Sequence, residues 1–167
     1  MIFITVGTEK FPFDRLLKAI DAGIESGRIN HDVFAQCGTS EYAPINYAHT
    51  DFLSFDEMLV KIQQADIVVS HSGVGSTLLC LSLGKIPVLF PRSAQRGEHL
   101  DDHQLEFTRQ MEKHGMVIAA YSEQELLSAI SGFVAKIALL QERKTTPGKD
   151  ALLTFLEKTL KGYAQTD

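Results

Sequence analysis

Residues 66–104 read DIVVSHSGVGSTLLCLSLGKIPVLFPRSAQRGEHLDDHQ, and the order of segments within them decides the fold. Ile67, Val68 and Val69 form a short apolar run, the pattern of a parallel strand buried on both faces. Ser70-His71-Ser72 ends the run and Gly73-Val74-Gly75-Ser76-Thr77 turns the chain. Leu78 to Leu83 continue as a helix, which Gly84 is suited to end. Ile86 to Phe90 is a second apolar strand, closed by Pro91. Strand, glycine turn, helix and strand make the repeating unit of a doubly wound sheet, and such sheets bind ligands at the carboxyl ends of their strands.

The turn suits an anion. Gly73 and Gly75 remove side chains, so a bulky group can approach the backbone. The first amides of the following helix are free, and its dipole favours negative charge there. Ser72, Ser76 and Thr77 add hydroxyls. No lysine follows, so the turn is not the GxxxxGK[ST] loop of nucleotide hydrolases, nor is it GxGxxG. The same residues also satisfy a plain tight turn with capping serines.

After the strand at 86–90 comes a polar loop, 92–97, and Glu98-His99-Leu100-Asp101-Asp102-His103-Gln104 enters a helix. At helical spacing Leu100, Gln104, Phe107 and Met111 share one face, which carries the Gln104 amide inward beside the mouth of the sheet. A polar group there needs partners, and sugar hydroxyls would supply them. Asp101 and Asp102 fit either the same role or the capping of a helix start. His99 and His103, four apart, resemble a zinc pair, but no third ligand stands near in sequence.

Taken together, HSGVGST (71–77), GKIPVLFPR (84–92) and GEHLDDHQLE (97–106), with IFITVGTEKFPFDRLL (2–17) as opening strand and glycine turn, resemble the donor-binding C-terminal domain of family-28 glycosyltransferases over residues 1–120. Within that group they most resemble single-domain catalytic subunits of two-component enzymes. One branch is the eukaryotic subunit that adds the second N-acetylglucosamine to a dolichol-linked sugar; the other is the bacterial exopolysaccharide and capsule subunits, whose GEH-x-DDHQ form this sequence shares. The resemblance implies one half of a GT-B fold with a UDP-sugar as donor substrate and neither metal nor further cofactor. Its diphosphate would be held by Gly7, Thr8, His71, Ser72, Gly73, Gly75, Ser76 and Thr77. Its sugar would be held by Glu98, His99, Asp101, Asp102, His103 and Gln104. Many members carry a ribose-binding glutamate on the helix after the glycine turn; here that position is Leu79, or Leu78 with a one-residue slip.

The rest of the chain agrees with that architecture. At 167 residues, 44% hydrophobic and 22% charged, it has the length for one domain with a sizeable core. With 16 Lys and Arg against 21 Asp and Glu, net charge −5 and no basic run, a nucleic-acid partner is disfavoured. Cys37 and Cys80 give no disulfide framework. Glu9 and Lys10 follow only a short apolar strand, unlike a secretory leader, and no apolar run nears the roughly 18 residues of a membrane span. A cytoplasmic protein is expected, brought to the membrane by a partner.

Further strands are expected at 1–6, 33–37, 52–55 and 116–120, and helices at 13–26, 56–64, 122–140 and 151–160, the last preceded by a polar break at 142–150. Alternating strands and helices predict a Rossmann-like, open parallel sheet of about six strands in the order 3-2-1-4-5-6. A helix N-terminus stabilises a leaving diphosphate without a metal. An inverting displacement also needs a general base, and no residue here is a convincing one. The resemblance implies that a membrane-anchored partner subunit supplies the base and the platform for a lipid-linked saccharide acceptor, with the helix at 151–160 a candidate docking surface. Two rivals are a non-catalytic nucleotide-sugar-binding module and a dinucleotide-dependent oxidoreductase. The absent GxGxxG, and Cys37-Gly38 where an acidic residue would end the second strand, weigh against the latter.

Overall fold

Two apolar strands, β1 (Ile2–Thr5) and β4 (Ile67–Ser70), lie side by side at the centre of a parallel sheet. On one side stand β2 (Val33–Gln36) and β3 (Ala48–Thr50), on the other β5 (Val88–Leu89) and β6 (Ile118–Ala119). In the computed structural model, which describes residues 1–143, the order is β3-β2-β1-β4-β5-β6, as the sequence predicts. The chain first builds outward from β1, then returns to place β4 beside it and builds the other way. That reversal opens a crevice above the carboxyl ends of β1 and β4.

Alternation along the strands feeds two layers of helices. Ile2, Ile4, Ile67, Val69 and Val88 meet α1 (Asp14–Glu25) through Leu16, Leu17 and Ile20, and α5 (Glu123–Ser131) through Leu126 and Ile130. On the opposite face Phe3 and Val68 meet Ile62 of α2 (Phe55–Gln64) and Cys80 of α3 (Val74–Ser82), while Leu89 meets Phe107 and Met111 of α4 (His103–Lys113). Each large side chain removed from water in this way contributes about 1.5–3 kcal/mol.

Several boundaries differ from the expected ones. The third strand is Ala48–Thr50, not 52–55. Ser54 caps α2 instead, its hydroxyl accepting from the Glu57 amide while the Glu57 carboxylate accepts from the Ser54 amide at 2.8 Å. That reciprocal pair needs Ser54 in the helix entry, and β3 is an exposed edge strand with little apolar signal. The expected helix at 122–140 is two: α5 ends at Gly132, and α6 (Phe133–Arg143) continues beyond it. Glycine is a costly helix residue, and Ser131 turns its hydroxyl back to the Leu127 carbonyl there. Glu142 and Arg143, expected in a polar break, belong to α6. The remainder of that break and the expected helix at 151–160 lie outside the described residues. No helix among the described residues is long and apolar enough to cross a membrane.

α3 begins at Val74 rather than Leu78, so Gly75, Ser76 and Thr77 occupy its first turn. α4 begins at His103, leaving 98–102 as loop, and Leu100, expected on the buried face, is 79% exposed.

Candidate functional site

The strand register collects polar residues at one edge. Thr50, Gln36, Thr5 and Ser70 lie level across β3, β2, β1 and β4, and the last three are fully buried. Such groups require partners. Thr5 accepts from the Gly7 amide at 3.2 Å, and Gln36 donates through Nε2 to the Gly7 carbonyl at 3.2 Å. Among the described residues three buried side-chain atoms have no hydrogen-bond partner, Gln36 Oε1, Ser70 Oγ and Arg92 Nε, and all three belong to this edge.

His71 wedges between the two glycine turns. A Cβ on Gly7 would stand 2.5 Å from the imidazole, and one on Gly73 would also collide with it. Gly7 further adopts φ +80°, so both geometry and space demand glycine there. His71 Nδ1 lies 3.3 Å from the Thr5 carbonyl. A carbonyl only accepts, so Nδ1 carries the proton and Nε2 is left as an acceptor. Burial, assisted by the Arg92 charge, pushes the imidazole pKa down to about 4. The ring is neutral, with its one donor committed to the backbone.

Ser72 follows with φ +68°, an uncommon conformation for a residue with a side chain and a source of strain that clusters at functional sites. It is held there by Thr108 of α4, whose hydroxyl donates to the Gln104 carbonyl at 2.7 Å and shares a hydrogen bond with Ser72 Oγ at 2.8 Å. The sharp turn delivers Gly73 as the N-cap of α3, and no side chain caps that helix. The amides of Val74, Gly75 and Ser76 therefore have no intrahelical acceptor. Thr77 does not add a free hydroxyl, because it is buried and donates to the Gly73 carbonyl at 2.8 Å.

Beside α3 lies a second construction, which the sequence does not reveal. Arg92, wholly buried, donates through Nη1 to the carbonyls of Phe11 at 2.5 Å, Pro12 at 3.0 Å and Glu98 at 3.3 Å, and through Nη2 to that of Val6 at 2.7 Å. Its guanidinium lies 4.8 Å from the Phe13 ring. Desolvation lowers its pKa to about 10, which leaves it cationic. Arg15 pairs with both Glu98 oxygens, Nε to Oε1 at 2.7 Å and Nη2 to Oε2 at 2.9 Å, and stacks 4.1 Å from the Phe90 ring. Arg92 thus fastens the loop after β1, and Arg15 the first turn of α1, to the loop after β5.

The residues expected to hold a sugar all belong to this second loop and the start of α4. Glu98 is buried and, besides Arg15, accepts from the Ser93 amide at 3.0 Å. His99 bridges Asp101 and Glu9 at 3.1 Å each. Asp101 also accepts from the His103 amide and pairs with the His103 ring at 2.9 Å. Burial opposes its ionisation, but the His103 amide and the two imidazoles outweigh it and hold the carboxyl below its usual range. Asp102 accepts from the Ala94 amide, and Gln104 from the Arg92 amide at 3.2 Å.

On the other side of α3 a cleft of about 630 Å³ opens between that helix and the start of α2. Its lining mixes polar residues, among them Thr8, Gln36, Gly75 and Ser76, with the apolar Leu53, Phe55, Met58 and Leu79. Of the residues expected to hold a diphosphate, the structure brings Thr8, Gly75 and Ser76 to this cleft. It buries Gly7, His71, Ser72 and Thr77 beneath, where they shape the turns. Gln36, Arg92 and Arg15 carry no binding motif of their own in the sequence. The usable signal for Gln36 was a polar residue ending an apolar strand.

A model of the glycosyltransferase family 28 C-terminal domain matches residues 1–158. The UDP-N-acetylglucosamine transferase subunit ALG13 of Homo sapiens is 32% identical over 124 residues, covering 68% of this chain and 10% of that protein. The subunit of the same name from Yarrowia lipolytica is 24% identical over 137 residues, 82% of this chain and 65% of that one. The chain thus spans about a tenth of the length of its human and mouse relatives. Among solved structures, MurG of Acinetobacter baumannii superposes with TM-score 0.57 at 14% identity, over 93% of this chain and 49% of MurG. The glycotransferase of kitacinnamycin gives 0.56 at 15% identity, over 84% and 37%. These likenesses establish the fold, a Rossmann-like half of a GT-B glycosyltransferase. With the strand order, the paired glycine turns and a family match over nearly its whole length, the chain belongs to the glycosyltransferase family 28 C-terminal domains.

Proposed function

We propose that this chain is the donor-binding, catalytic subunit of a two-component inverting glycosyltransferase. It transfers a hexose from a UDP-sugar to a lipid-linked saccharide acceptor in exopolysaccharide or capsule biosynthesis. The observation that carries the reading is the uncapped N-terminus of α3 beside a cleft lined by both polar and apolar residues. The names of the relatives, UDP-N-acetylglucosamine transferase subunits, support a UDP-sugar as donor.

In the reaction an acceptor hydroxyl attacks the anomeric carbon from the face opposite the diphosphate. The bond from that carbon to the phosphate oxygen breaks, and its electron pair leaves with UDP. The amides of Val74, Gly75 and Ser76, already aimed out of the helix, meet the charge that develops on the diphosphate. The loop at 98–104 lies on the far side of α3, where the donor sugar's hydroxyls reach it. The acceptor's proton goes to a base. His71 is neutral, buried and low in pKa, and Glu98 is tied by both oxygens to Arg15, so neither is suited to take it. This favours a base on a membrane-anchored partner subunit that completes the cleft and recruits the chain to the cytoplasmic face. That His71 and Glu98 are both unsuited also fits a second reading, a non-catalytic nucleotide-sugar-binding module. Addition of partner and acceptor separates the two, because only a catalytic subunit then releases UDP.

The test is calorimetric titration of the full chain with UDP, UDP-sugars, GDP and dTDP. Selective binding of UDP compounds is expected. Ser76→Asp, which sets a carboxylate against the diphosphate, should weaken it about a hundredfold, because juxtaposed like charges cost several kcal/mol. Equal binding of all three nucleotides, or binding indifferent to Ser76→Asp, contradicts the assignment.

A further inference from the structure

We propose that Gln36 reads the ribose of the bound nucleotide, its Oε1 accepting a hydrogen bond from a ribose hydroxyl and so favouring ribonucleoside over deoxyribonucleoside diphosphates. The inference rests on the nucleotide-sugar reading above and adds to it the group that distinguishes the sugar of the nucleotide.

The amide orientation is fixed chemically. Gln36 Nε2 stands 3.2 Å from the Gly7 carbonyl, which can only accept, so the nitrogen is the atom turned to Gly7 and the oxygen is the other branch. That oxygen is buried and has no partner in the protein. A buried acceptor left unpaired costs about 1–3 kcal/mol, which a ligand donor recovers. A diphosphate is itself an acceptor and cannot fill the role. A neutral hydroxyl or N–H of the ligand can fill it.

Position selects the ribose. Gln36 lines the same cleft as Thr8, Gly75 and Ser76, and it is bonded to the Gly7 turn. Leu53, Phe55, Met58 and Leu79 give the same cleft its apolar lining. A nucleoside diphosphate carries phosphate, ribose and base in that order. With its phosphates on the amides of α3 and its base against the apolar residues of α2, the ribose comes between them, within the cleft that Gln36 lines. The other polar side chains at that end are engaged. Ser54 exchanges hydrogen bonds with Glu57, and Ser82 donates to the Leu79 carbonyl at 2.8 Å. Leu78 and Leu79 offer nothing to a hydroxyl.

The test is a titration of the full chain with UDP, 2′-deoxy-UDP and 3′-deoxy-UDP, on the wild type, Gln36→Met and Gln36→Glu, each checked by thermal unfolding. The wild type should bind UDP about tenfold more tightly than at least one deoxy compound, the factor expected for one hydrogen bond to a buried group. Gln36→Met, near in shape but without the acceptor, should bind UDP and that deoxy compound alike. Gln36→Glu, which keeps an acceptor, should weaken UDP overall yet retain the preference. Should Gln36→Met prevent folding, Gln36→Leu, which likewise lacks the acceptor, takes its place in the panel. Equal affinity of the wild type for all three ligands, or a preference that survives in Gln36→Met, overturns the assignment of Gln36 while UDP binding stands. A wild type that binds no UDP removes the nucleotide reading and this inference together.

Discussion

The two sides of the α3 N-terminus are built in opposite ways. On the β5 side, the Arg92 guanidinium is surrounded by four carbonyls, Glu98 by Arg15 and the Ser93 amide, and Asp101 by two imidazoles and an amide. On the α2 side, helix amides lack acceptors and the buried oxygen of Gln36 lacks a donor. A polar group satisfied within the protein holds shape; one left unsatisfied beside a cleft is available to a ligand. The loop rich in charged groups is first a clamp, while the sparser cleft is the more open binding surface.

Breaking the clamp has the largest expected effect. Arg92→Met leaves the carbonyls of Val6, Phe11, Pro12 and Glu98 without their shared donor. Denaturant unfolding should show a loss of about 3–5 kcal/mol, in the range found when one partner of a buried charged network is removed. A loss below about 1 kcal/mol would show that the clamp is ornamental. Ser76→Asp is the converse variant. An acid in the first turn of a helix is stabilising by about 0.3–1 kcal/mol, so the variant that loses UDP should unfold no more easily than the wild type.

Acid should reveal the wedge between the two turns. The folded-state pKa of His71, about 4, lies below its ordinary value of 6.5. Between those values the unfolded chain binds the proton and the folded chain does not. Stability from this group is therefore complete above pH 6.5 and is lost as pH falls to about 4, by about 3 kcal/mol for the shift of that size. His71→Gln removes the titration, so the gap between wild type and variant should change by that amount from pH 7 to pH 4. Parallel curves would mean that His71 is hydrated and titrates normally.

The smallest effect sharpens the contrast at the sugar loop. Asp101 is only partly buried and accepts from the first amide of α4, so Asp101→Ala should cost about 1 kcal/mol of stability. If the loop holds the donor sugar, the same variant weakens UDP-sugar binding and leaves UDP binding as it was. Equal weakening of both would place Asp101 in the clamp alone.

The central unit was legible because its signals are local. Apolar runs at 67–69 and 86–90, glycines between them and alternation elsewhere state a parallel sheet and its crossovers, and the sheet has the expected order. β3 was misplaced because an edge strand carries little hydrophobic pattern, although Ser54 and Glu57 in capping-box spacing marked the start of α2. Leu100 escapes the helical spacing because residues 98–102 form a loop in which the acids and histidines fold on one another.

The sequence by itself determined the family, the strand order and the two glycine turns, since each follows from hydrophobic period and residue size. Only the tertiary structure decided what the polar residues do. Whether His71 donates to a ligand or to Thr5, whether Glu98 meets a sugar or Arg15, and whether Gln36 is satisfied depend on partners dozens of residues away. Hydrogen-bond satisfaction is a property of the packed neighbourhood, and a linear pattern does not contain it.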